Sequence, residues 1–162
     1  MKNNIVIIAA AGLTIIGCQK KENTDPVVEK TTVEETATAA SSKRCYLQVT
    51  EAKGENGKVV NDSLLLNIQT NGDSITGTFK WLPYYKDKKT GDFKGTYKGN
   101  AAKTILSAKA EGMTNLEELD FTFDDKQASV KFGEMAEGPD GIWHYKDAKA
   151  ASMEIVPKAE CK

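Results

Sequence analysis

The sequence predicts an all-β fold: a single small antiparallel up-and-down barrel of about eight to nine strands behind a disordered, lipid-anchored tether. Two observations predict the barrel. Apolar residues recur at every second position through residues 43–162, which is the period of a strand with one buried face. These short segments alternate evenly with turn residues, and no segment has the pattern of an amphipathic helix. A change from an apolar run to charge at Cys18 predicts the anchor.

The clearest strand carries Leu64, Leu66 and Ile68 on one face. Asn71-Gly72 follows it, and this pair tolerates the positive φ angles of a type I′ turn, so the next strand is expected to begin near Ser74. Further strands are predicted at residues 45–50, 105–110, 119–123, 128–133, 142–145 and 152–156, with turns at 86–92, 124–125 and 137–141. Seven bulky residues are candidates to fill the interior: Phe79, Trp81, Phe93, Tyr97, Phe121, Phe123 and Phe132.

The segment "GTFK" at 77–80 recurs as "GTYK" at 95–98. The repetition predicts two matched strands of one long hairpin. Gly77 and Gly95 are expected where the barrel wall bends or where two backbones approach closely, since glycine inside a strand commonly marks such places.

Residues 1–17 have the organisation of a signal peptide, with Lys2 before an uncharged run of 12 residues from Ile5 to Ile16. A spanning helix needs roughly 20 apolar residues, so this run is too short for a transmembrane anchor. The border Ile15-Ile16-Gly17-Cys18 resembles the lipobox of bacterial lipoprotein signal peptides. That resemblance implies that Cys18 is lipidated and becomes the first residue of the mature chain. The alternative is an ordinary secretory signal with a chance cysteine.

Residues 18–42 are predicted to form a flexible tether, because they contain no aromatic residue, no glycine and no sustained apolar period. The start "CQKKE" resembles the export tags of surface lipoproteins of Bacteroidetes, although it has one acid where two are usual. Outer-membrane attachment with surface exposure is therefore expected in preference to the periplasmic face. The chain's net charge is −1 and no basic stripe with interleaved aromatics occurs, so nucleic acid is not an expected partner.

Two cysteines remain in the domain once Cys18 is lipidated. Cys45 and Cys161 lie near its two ends, and outside the cytoplasm such a pair is expected to form a disulfide. The bond would hold the first strand beside the last. The competing interpretation is two free thiols that ligate a metal or act as a nucleophile, but no histidine lies near either one in the sequence.

Several short motifs of the domain resemble a group of small Bacteroidetes lipoproteins: "CYL" at 45–47, Gly77-Thr78-Phe79, "YKDKKTGDFKG" at 85–95 and "AEGM" at 110–113. The resemblance covers most of residues 43–161. It implies a compact lipocalin-like barrel, and it brings neither an established activity nor catalytic residues.

No constellation of residues predicts enzymatic chemistry, and neither a cofactor nor a metal is expected. His144 is the only histidine, so a multi-histidine metal site is excluded, and no G-x-S-x-G motif is present for a serine nucleophile. Five carboxylates lie close together in the sequence, and most are predicted to be solvated wall or turn residues rather than a catalytic pair: Glu117, Glu118, Asp120, Asp124 and Asp125.

The stretch "WLPYY" at 81–85 is the one candidate binding site. Pro83 must interrupt the strand. Trp81, Tyr84 and Tyr85 could then line a barrel mouth and hold an apolar or sugar-like ligand, or they could cap the core instead. At least one of Tyr84 and Tyr85 is predicted to contact ligand, with Trp81 in the core.

Two classes of function therefore remain open from sequence. The first is a non-enzymatic binding module for a small apolar molecule, a glycan or a protein partner. The second is an interaction or inhibitor protein without a ligand cavity, comparable to the small lipoprotein barrels that inhibit lysozymes, or a structural envelope protein. A pocket of roughly 300 Å³ or more would favour ligand binding, whereas a packed interior would favour surface interaction.

Overall fold

The computed structural model describes residues 41–147 and 149–162. The predicted signal peptide, Cys18 and the tether up to residue 40 lie outside the described residues. Within the described part the chain forms ten β-strands, and none of it forms a helix that is long and apolar enough to cross a membrane. The strands are β1 (Ser42–Lys53), β2 (Val59–Asn71), β3 (Ser74–Leu82), β4 (Lys89–Lys98), β5 (Ala101–Ala110), β6 (Met113–Phe123), β7 (Gln127–Phe132), β8 (Met135–Glu137), β9 (Ile142–Tyr145) and β10 (Ser152–Ala159).

Eight of the strands form a closed antiparallel barrel, as the sequence predicted. Each of β1 to β6 pairs with the next strand in the chain, and β10 lies between β7 and β1. The barrel is therefore an up-and-down meander whose eighth position is taken by β10. We call one end the mouth; it carries the connections at residues 54–58, 83–88 and 111–112. The other end, the disulfide end, carries the chain's entry at Ser42 and its C-terminal residues.

The two additional strands differ from the sequence prediction. β8 was not predicted; its last residue, Glu137, was assigned to a turn. β9 has the predicted bounds, but it pairs in parallel with β6, through Leu116↔Ile142 and Glu117↔Trp143, whereas an antiparallel sheet was expected. The predicted turn at 86–92 is also too long, because β4 begins at Lys89.

Alternating burial along the strands produces a packed interior. Phe79, Phe93, Phe121 and Phe123 are buried in one cluster with aliphatic residues from six of the eight barrel strands. Trp81, Tyr97 and Phe132 are partly buried and pack against that cluster. All seven predicted interior residues are thus confirmed. Tyr46 is fully buried, its hydroxyl donates a hydrogen bond to the Asp124 carbonyl at 2.7 Å, and burial raises its pKa to about 12.

The two strand glycines occupy the places that the sequence indicated. β3 and β4 form one hairpin, in which Gly77 pairs with Phe93 and Ile75 pairs with Gly95. A Cβ atom on Gly77 would lie 1.9 Å from the Asn67 carbonyl oxygen and 2.5 Å from the Phe93 ring. A Cβ on Gly95 would lie 2.1 Å from the Lys103 carbonyl oxygen. Both positions are close backbone approaches, which only glycine accommodates.

The predicted type I′ turn at Asn71-Gly72 is wrong. Asn71 pairs with Ser74, so the two loop residues are Gly72 and Asp73, and only Gly72 has a positive φ angle (58°). A type I′ turn requires positive φ at both central residues. That condition is met between β5 and β6, where Glu111 has φ 51° and Gly112 has φ 79°.

The disulfide between Cys45 and Cys161 is present, as predicted. It joins residues separated by 116 positions in the sequence. Cys45 lies in β1 beside Ala159 of β10, so the first and last strands are neighbours. The bond therefore lies beside the β1–β10 contact that closes the barrel.

Candidate functional site

Two of the eight neighbouring strand pairs are bonded only at the disulfide end. The ladder between β6 and β7 covers three pairs, from Phe121↔Val130 to Phe123↔Ala128. The ladder between β1 and β10 covers two, Cys45↔Ala159 and Tyr46↔Lys158. By contrast, β1 and β2 pair over the full length of β1. The barrel wall therefore has two splits that open toward the mouth.

The split between β6 and β7 is occupied by β9. This strand pairs with β6 at Leu116 and Glu117. Its last residue, Tyr145, holds both sides: the backbone N–H donates to Glu118 Oε2 at 3.1 Å, and the hydroxyl donates to the Lys131 carbonyl of β7 at 3.0 Å. Burial raises the pKa of Tyr145 to about 12. A short extended segment thus closes the first split.

The split between β1 and β10 has a local cause in the sequence of β10. Lys158 directs its N–H to the Lys126 carbonyl, away from β1. Because backbone groups alternate in direction along a strand, Pro157 faces β1, and proline has no N–H to donate. The last pair of the ladder is Tyr46↔Lys158, so the ladder stops one position short of Pro157. We call this second split, from Leu47 to Lys53 on β1 and from Ser152 to Pro157 on β10, the seam.

A cleft of about 280 Å³ opens into the barrel at the seam, and we call it the seam cleft. Its apolar lining is Leu64, Trp81 and Phe132, and its polar lining is Gln48, Thr50, Asp62, Ser63 and Glu154. Two carboxylates and no lysine or arginine are therefore among its lining residues. Wider depressions of about 480 and 430 Å³ lie around the disulfide and beside Arg44. The second is also lined by a pair of rings, Tyr97 and Phe123, with centroids 5.6 Å apart, but the Arg44 guanidinium lies over the Phe123 ring there.

The base of the seam cleft is aromatic. The ring centroids of Trp81 and Phe132 lie 5.9 Å apart with a tilt of 57°, and Phe132 in turn lies 6.3 Å from the buried Phe79. This chain of rings joins the cleft to the core. Trp81 is therefore both a core residue, as predicted, and part of the lining of the cleft.

Tyr84 and Tyr85 do not line the seam cleft. They lie in the β3–β4 connection and are 58% and 57% exposed, with their rings in an edge contact at 4.9 Å. The Tyr84 N–H donates to Asp62 Oδ1 at 2.7 Å, and the Tyr85 hydroxyl accepts the Glu55 N–H at 3.1 Å. The structure thus separates the three aromatics of "WLPYY" and connects Tyr84 to the cleft through Asp62. A ligand-binding role for the two tyrosines stays a prediction.

His144, a residue of β9, lies between the carboxylates of Glu118 and Asp140. Its Nδ1 is 2.9 Å from Glu118 Oε1, and its Nε2 is 3.1 Å from both oxygens of Asp140. Hydrogen bonds to Glu118 and then to Asp140 raise the pKa of His144. Burial opposes ionisation of Glu118, but the hydrogen bonds from His144 and Tyr145 lower the pKa of that carboxyl. The histidine is thus a hydrogen-bonded group at the protein surface.

The other predicted carboxylates also have structural partners. Asp120 lies 3.7 Å from Lys131, Asp124 accepts the N–H groups of Lys126 and Gln127, and Asp125 lies 3.4 Å from Arg44. Glu117 departs from the expected solvated position: it is only 8% exposed and pairs with Lys89. Among the described residues, no group of three or more histidine, cysteine or acidic side chains could hold a metal ion.

Sequence patterns located Trp81 but not the rest of the cleft. Asp62 and Glu154 lie 92 positions apart and come together only because β10 returns to the side of β1. The one signal that could have pointed to the seam is Pro157, which directly follows the strand predicted at 152–156 and lies inside the observed β10. Comparison of the chain with protein-family models, with curated proteins and with solved structures found no match.

Proposed function

We propose that the protein is a lipoprotein anchored at Cys18 in a bacterial outer membrane and facing the cell surface, and that its barrel is a non-enzymatic binding module. The binding site of this module is the seam cleft. Its ligand is a small apolar molecule, a glycan or a segment of a protein partner. The similarity of residues 43–161 to small Bacteroidetes lipoproteins supports the location.

One observation carries the choice of site: the barrel interior is filled by side chains, yet a cleft with an aromatic base remains open at the seam. An eight-stranded barrel either fills with side chains or holds one small ligand. In this barrel the ligand would therefore bind at the wall and the mouth. Ligand sites commonly combine an apolar base with a few polar groups that fix orientation, which is the composition of this cleft.

The second candidate is an interaction or inhibitor protein that uses its surface alone. The filled interior favours it, because the 280 Å³ of the seam cleft falls slightly below the volume typical of ligand pockets. The exposed pair Tyr84 and Tyr85 supplies the aromatic side chains that protein interfaces favour. In this case the two tyrosines, and not the seam cleft, would carry the contact.

Anchoring is tested with Cys18→Ser. The variant is expected to take up no radioactive fatty acid and to remain unprocessed or soluble, because it lacks the thiol to which the acyl chains would be attached. Two or three such chains make a durable anchor. Cys45→Ser is the matched control, since it removes a different cysteine from the same chain. If Cys18→Ser is still labelled with fatty acid and is still found in the membrane fraction, attachment through Cys18 is excluded.

Binding is tested by blocking the cleft. Thr50 lies on the lining of the cleft and is exposed, so Thr50→Phe is expected to fill the opening without disturbing the core. Thr96→Phe places the same side chain on an exposed position of β4 outside the cleft. Trp143, the second of the chain's two tryptophans, is replaced by Phe so that the fluorescence comes from Trp81. The processed protein in this Trp143→Phe background is titrated with panels of oligosaccharides, fatty acids and short peptides while Trp81 fluorescence is recorded.

A ligand of the seam cleft changes Trp81 fluorescence in the parent and in Thr96→Phe but not in Thr50→Phe. Binding that is insensitive to Thr50→Phe but lost with Tyr84→Ala or Tyr85→Ala would move the site to the tyrosine pair and favour the second candidate. Absence of any response across all three panels would contradict the proposed binding module.

A further inference from the structure

We propose that the seam binds an extended segment of a partner protein as an added β-strand, and that this segment alternates basic residues with apolar ones. The inference rests on the proposal that the seam cleft is the binding site, and it names the class of ligand. Four features of the molecule support it: unpaired strand edges, an existing example in the same barrel, an apolar outer border and an acidic inner lining.

The seam presents two strand edges that face each other without a ladder. Beyond Tyr46↔Lys158, no residue pair between β1 and β10 belongs to the register of the described strands. By the alternation of backbone direction, Leu47 and Val49 on β1 and Met153 and Ile155 on β10 direct their N–H and C=O groups toward the gap. Edges of this kind are templates on which another chain can add a strand.

The barrel already accepts a strand in an equivalent split. β9 lies between the separated halves of β6 and β7, with its backbone paired to β6 and Tyr145 reaching the β7 carbonyl of Lys131. Both splits open toward the mouth and both begin where a short ladder ends. The chain supplies the occupant of one split, whereas the described residues supply none for the other.

The outer border of the seam is apolar on both sides. Leu47 and Val49 of β1 and Met153 and Ile155 of β10 are between 39% and 53% exposed. They account for four of the nine large apolar side chains that the described surface exposes. An apolar side chain pointing outward from an inserted strand would lie between these two pairs and would cover them.

The inner lining has the opposite character. Side chains alternate between the two faces of a strand, so every second residue of an inserted segment would point into the seam cleft. There it would meet Asp62 and Glu154, and no lysine or arginine of the protein lies among the lining residues. A lysine or arginine at those positions is complementary in charge, and its aliphatic stem would lie near the apolar rings of Trp81 and Phe132.

The probe is a blocked seven-residue synthetic peptide in which lysine alternates with valine. The matched probes are the glutamate–valine peptide, which reverses the charge, and the lysine–valine peptide N-methylated at each valine, which removes the donors along one edge. The processed protein is titrated with each peptide while Trp81 fluorescence is followed in the Trp143→Phe background. Amide hydrogen exchange is then measured with and without the bound peptide.

The lysine–valine peptide is expected to bind and to slow exchange of the Leu47, Val49 and Ile155 amides by about tenfold or more, because each gains a hydrogen-bond partner. The Gln48 amide, which faces β2, should not change. The other two peptides should bind at least about fivefold more weakly. Glu154→Gln should weaken the lysine–valine peptide by a similar factor, since a partly exposed ion pair contributes about that much. Asp73→Asn, the same change in charge at the disulfide end, should have no effect.

Four outcomes overturn the inference. If the peptide changes Trp81 fluorescence without protecting the Leu47 and Val49 amides, the seam cleft is a binding site but not for a strand. The same conclusion follows if an oligosaccharide or fatty acid binds and the peptide does not. If the same amides become protected as the protein concentration rises without peptide, with a matching increase in sedimenting mass, the occupant is a second copy of this chain. If neither the peptide nor the small-molecule panels bind, the proposed function fails as well.

Discussion

The ring of Trp81 lies 5.9 Å from the ring of Phe132 across the barrel, although the two residues belong to strands that do not pair. Their contact forms the base of the seam cleft, and on its other side Phe132 reaches the buried Phe79. One pair of rings therefore serves both as the end of the core and as a surface that a ligand can touch. In the proposed binding module, stability and binding would therefore be coupled at this pair, whereas Tyr84 and Tyr85 are largely exposed and lie outside the core cluster.

The first prediction concerns the three aromatics of residues 81–85. Trp81→Ala is expected to lower the free energy of unfolding by about 3 kcal/mol, because it removes a large ring that packs against the core and leaves a cavity. Tyr84→Ala and Tyr85→Ala should each cost less than about 1 kcal/mol, since both rings are largely exposed. Denaturant unfolding of the three variants measures the difference. Equal, large losses for all three would show that the tyrosines are structural and would remove their support as ligand contacts.

The second prediction concerns the disulfide. Reduction of Cys45–Cys161 is expected to lower stability by about 4 to 5 kcal/mol on the chain-entropy model, because the bond closes a loop of more than a hundred residues. The strand content at low temperature should remain unchanged, since the β1–β2 and β7–β10 ladders do not depend on the bond. Thermal melts of the oxidised and reduced protein, followed by circular dichroism, compare the same sequence in both states. A melting temperature that is unaffected by reduction would mean that the loop constraint contributes nothing.

Local patterns predicted most of the barrel. The alternation of Leu64, Leu66 and Ile68 and the repeat around Gly77 and Gly95 define strand faces by themselves, because the side-chain period of a strand is two. Local patterns did not predict the turn type. Asn71-Gly72 was predicted to be a type I′ turn because its residues permit one, but the register places Gly72 and Asp73 in the loop. Composition restricts which turns are allowed, whereas cross-strand pairing decides which one forms.

The candidate site was largely out of reach of the sequence. Trp81 was identified because it lies two residues before an interrupting proline, but Asp62 and Glu154 are ordinary polar residues on two strands far apart in the chain. Their meeting depends on β10, and not β8, taking the position next to β1. The β8–β9 hairpin was unpredictable for a related reason: the three residues of β8 are too few to show a period, and the parallel pairing of β9 follows from an edge that β6 exposes only after folding.

The third prediction tests a close backbone approach in the wall. Gly95→Ala is expected to destabilise the protein by about 1 to 3 kcal/mol, because its Cβ would lie 2.1 Å from the Lys103 carbonyl oxygen and 2.7 Å from the Thr104 Cα, and backbone atoms must then move. Lys94→Ala is the matched control at the neighbouring exposed position of β4. Urea unfolding gives both values. Equal stability of the two variants would show that β4 and β5 can separate locally at no cost.

The fourth prediction is a pH dependence that arises from His144. Its pKa is raised above 6.5 by hydrogen bonds to Glu118 and Asp140, so its contribution to stability is fully present below pH 6.5 and is lost as the pH rises through the raised value. The hydrogen bond from His144 lowers the pKa of Asp140 from 3.8, and those from His144 and the Tyr145 N–H lower that of Glu118 from 4.5 against the effect of burial. The contributions of the two carboxylates are therefore present above those ordinary values and are lost as the pH falls through the lowered ones. All three contributions coincide between about pH 4.5 and pH 6.5.

His144→Gln removes the charge while keeping a polar side chain, so the melting temperature of the parent should exceed that of the variant most between about pH 4.5 and pH 6.5, and the difference should shrink as the pH rises above or falls below that window. Groups that titrate elsewhere, such as Asp124 at the β6–β7 turn, are common to both proteins and largely cancel in the difference. Thermal melts at unit intervals of pH measure the profile. His144 lies in β9, the strand that closes the β6–β7 split, and contacts Glu118 of β6, so the difference measures how much this contact stabilises β9 in the split. A difference that is constant across the range, or one that grows above pH 8, would show that the imidazolium does not stabilise this strand.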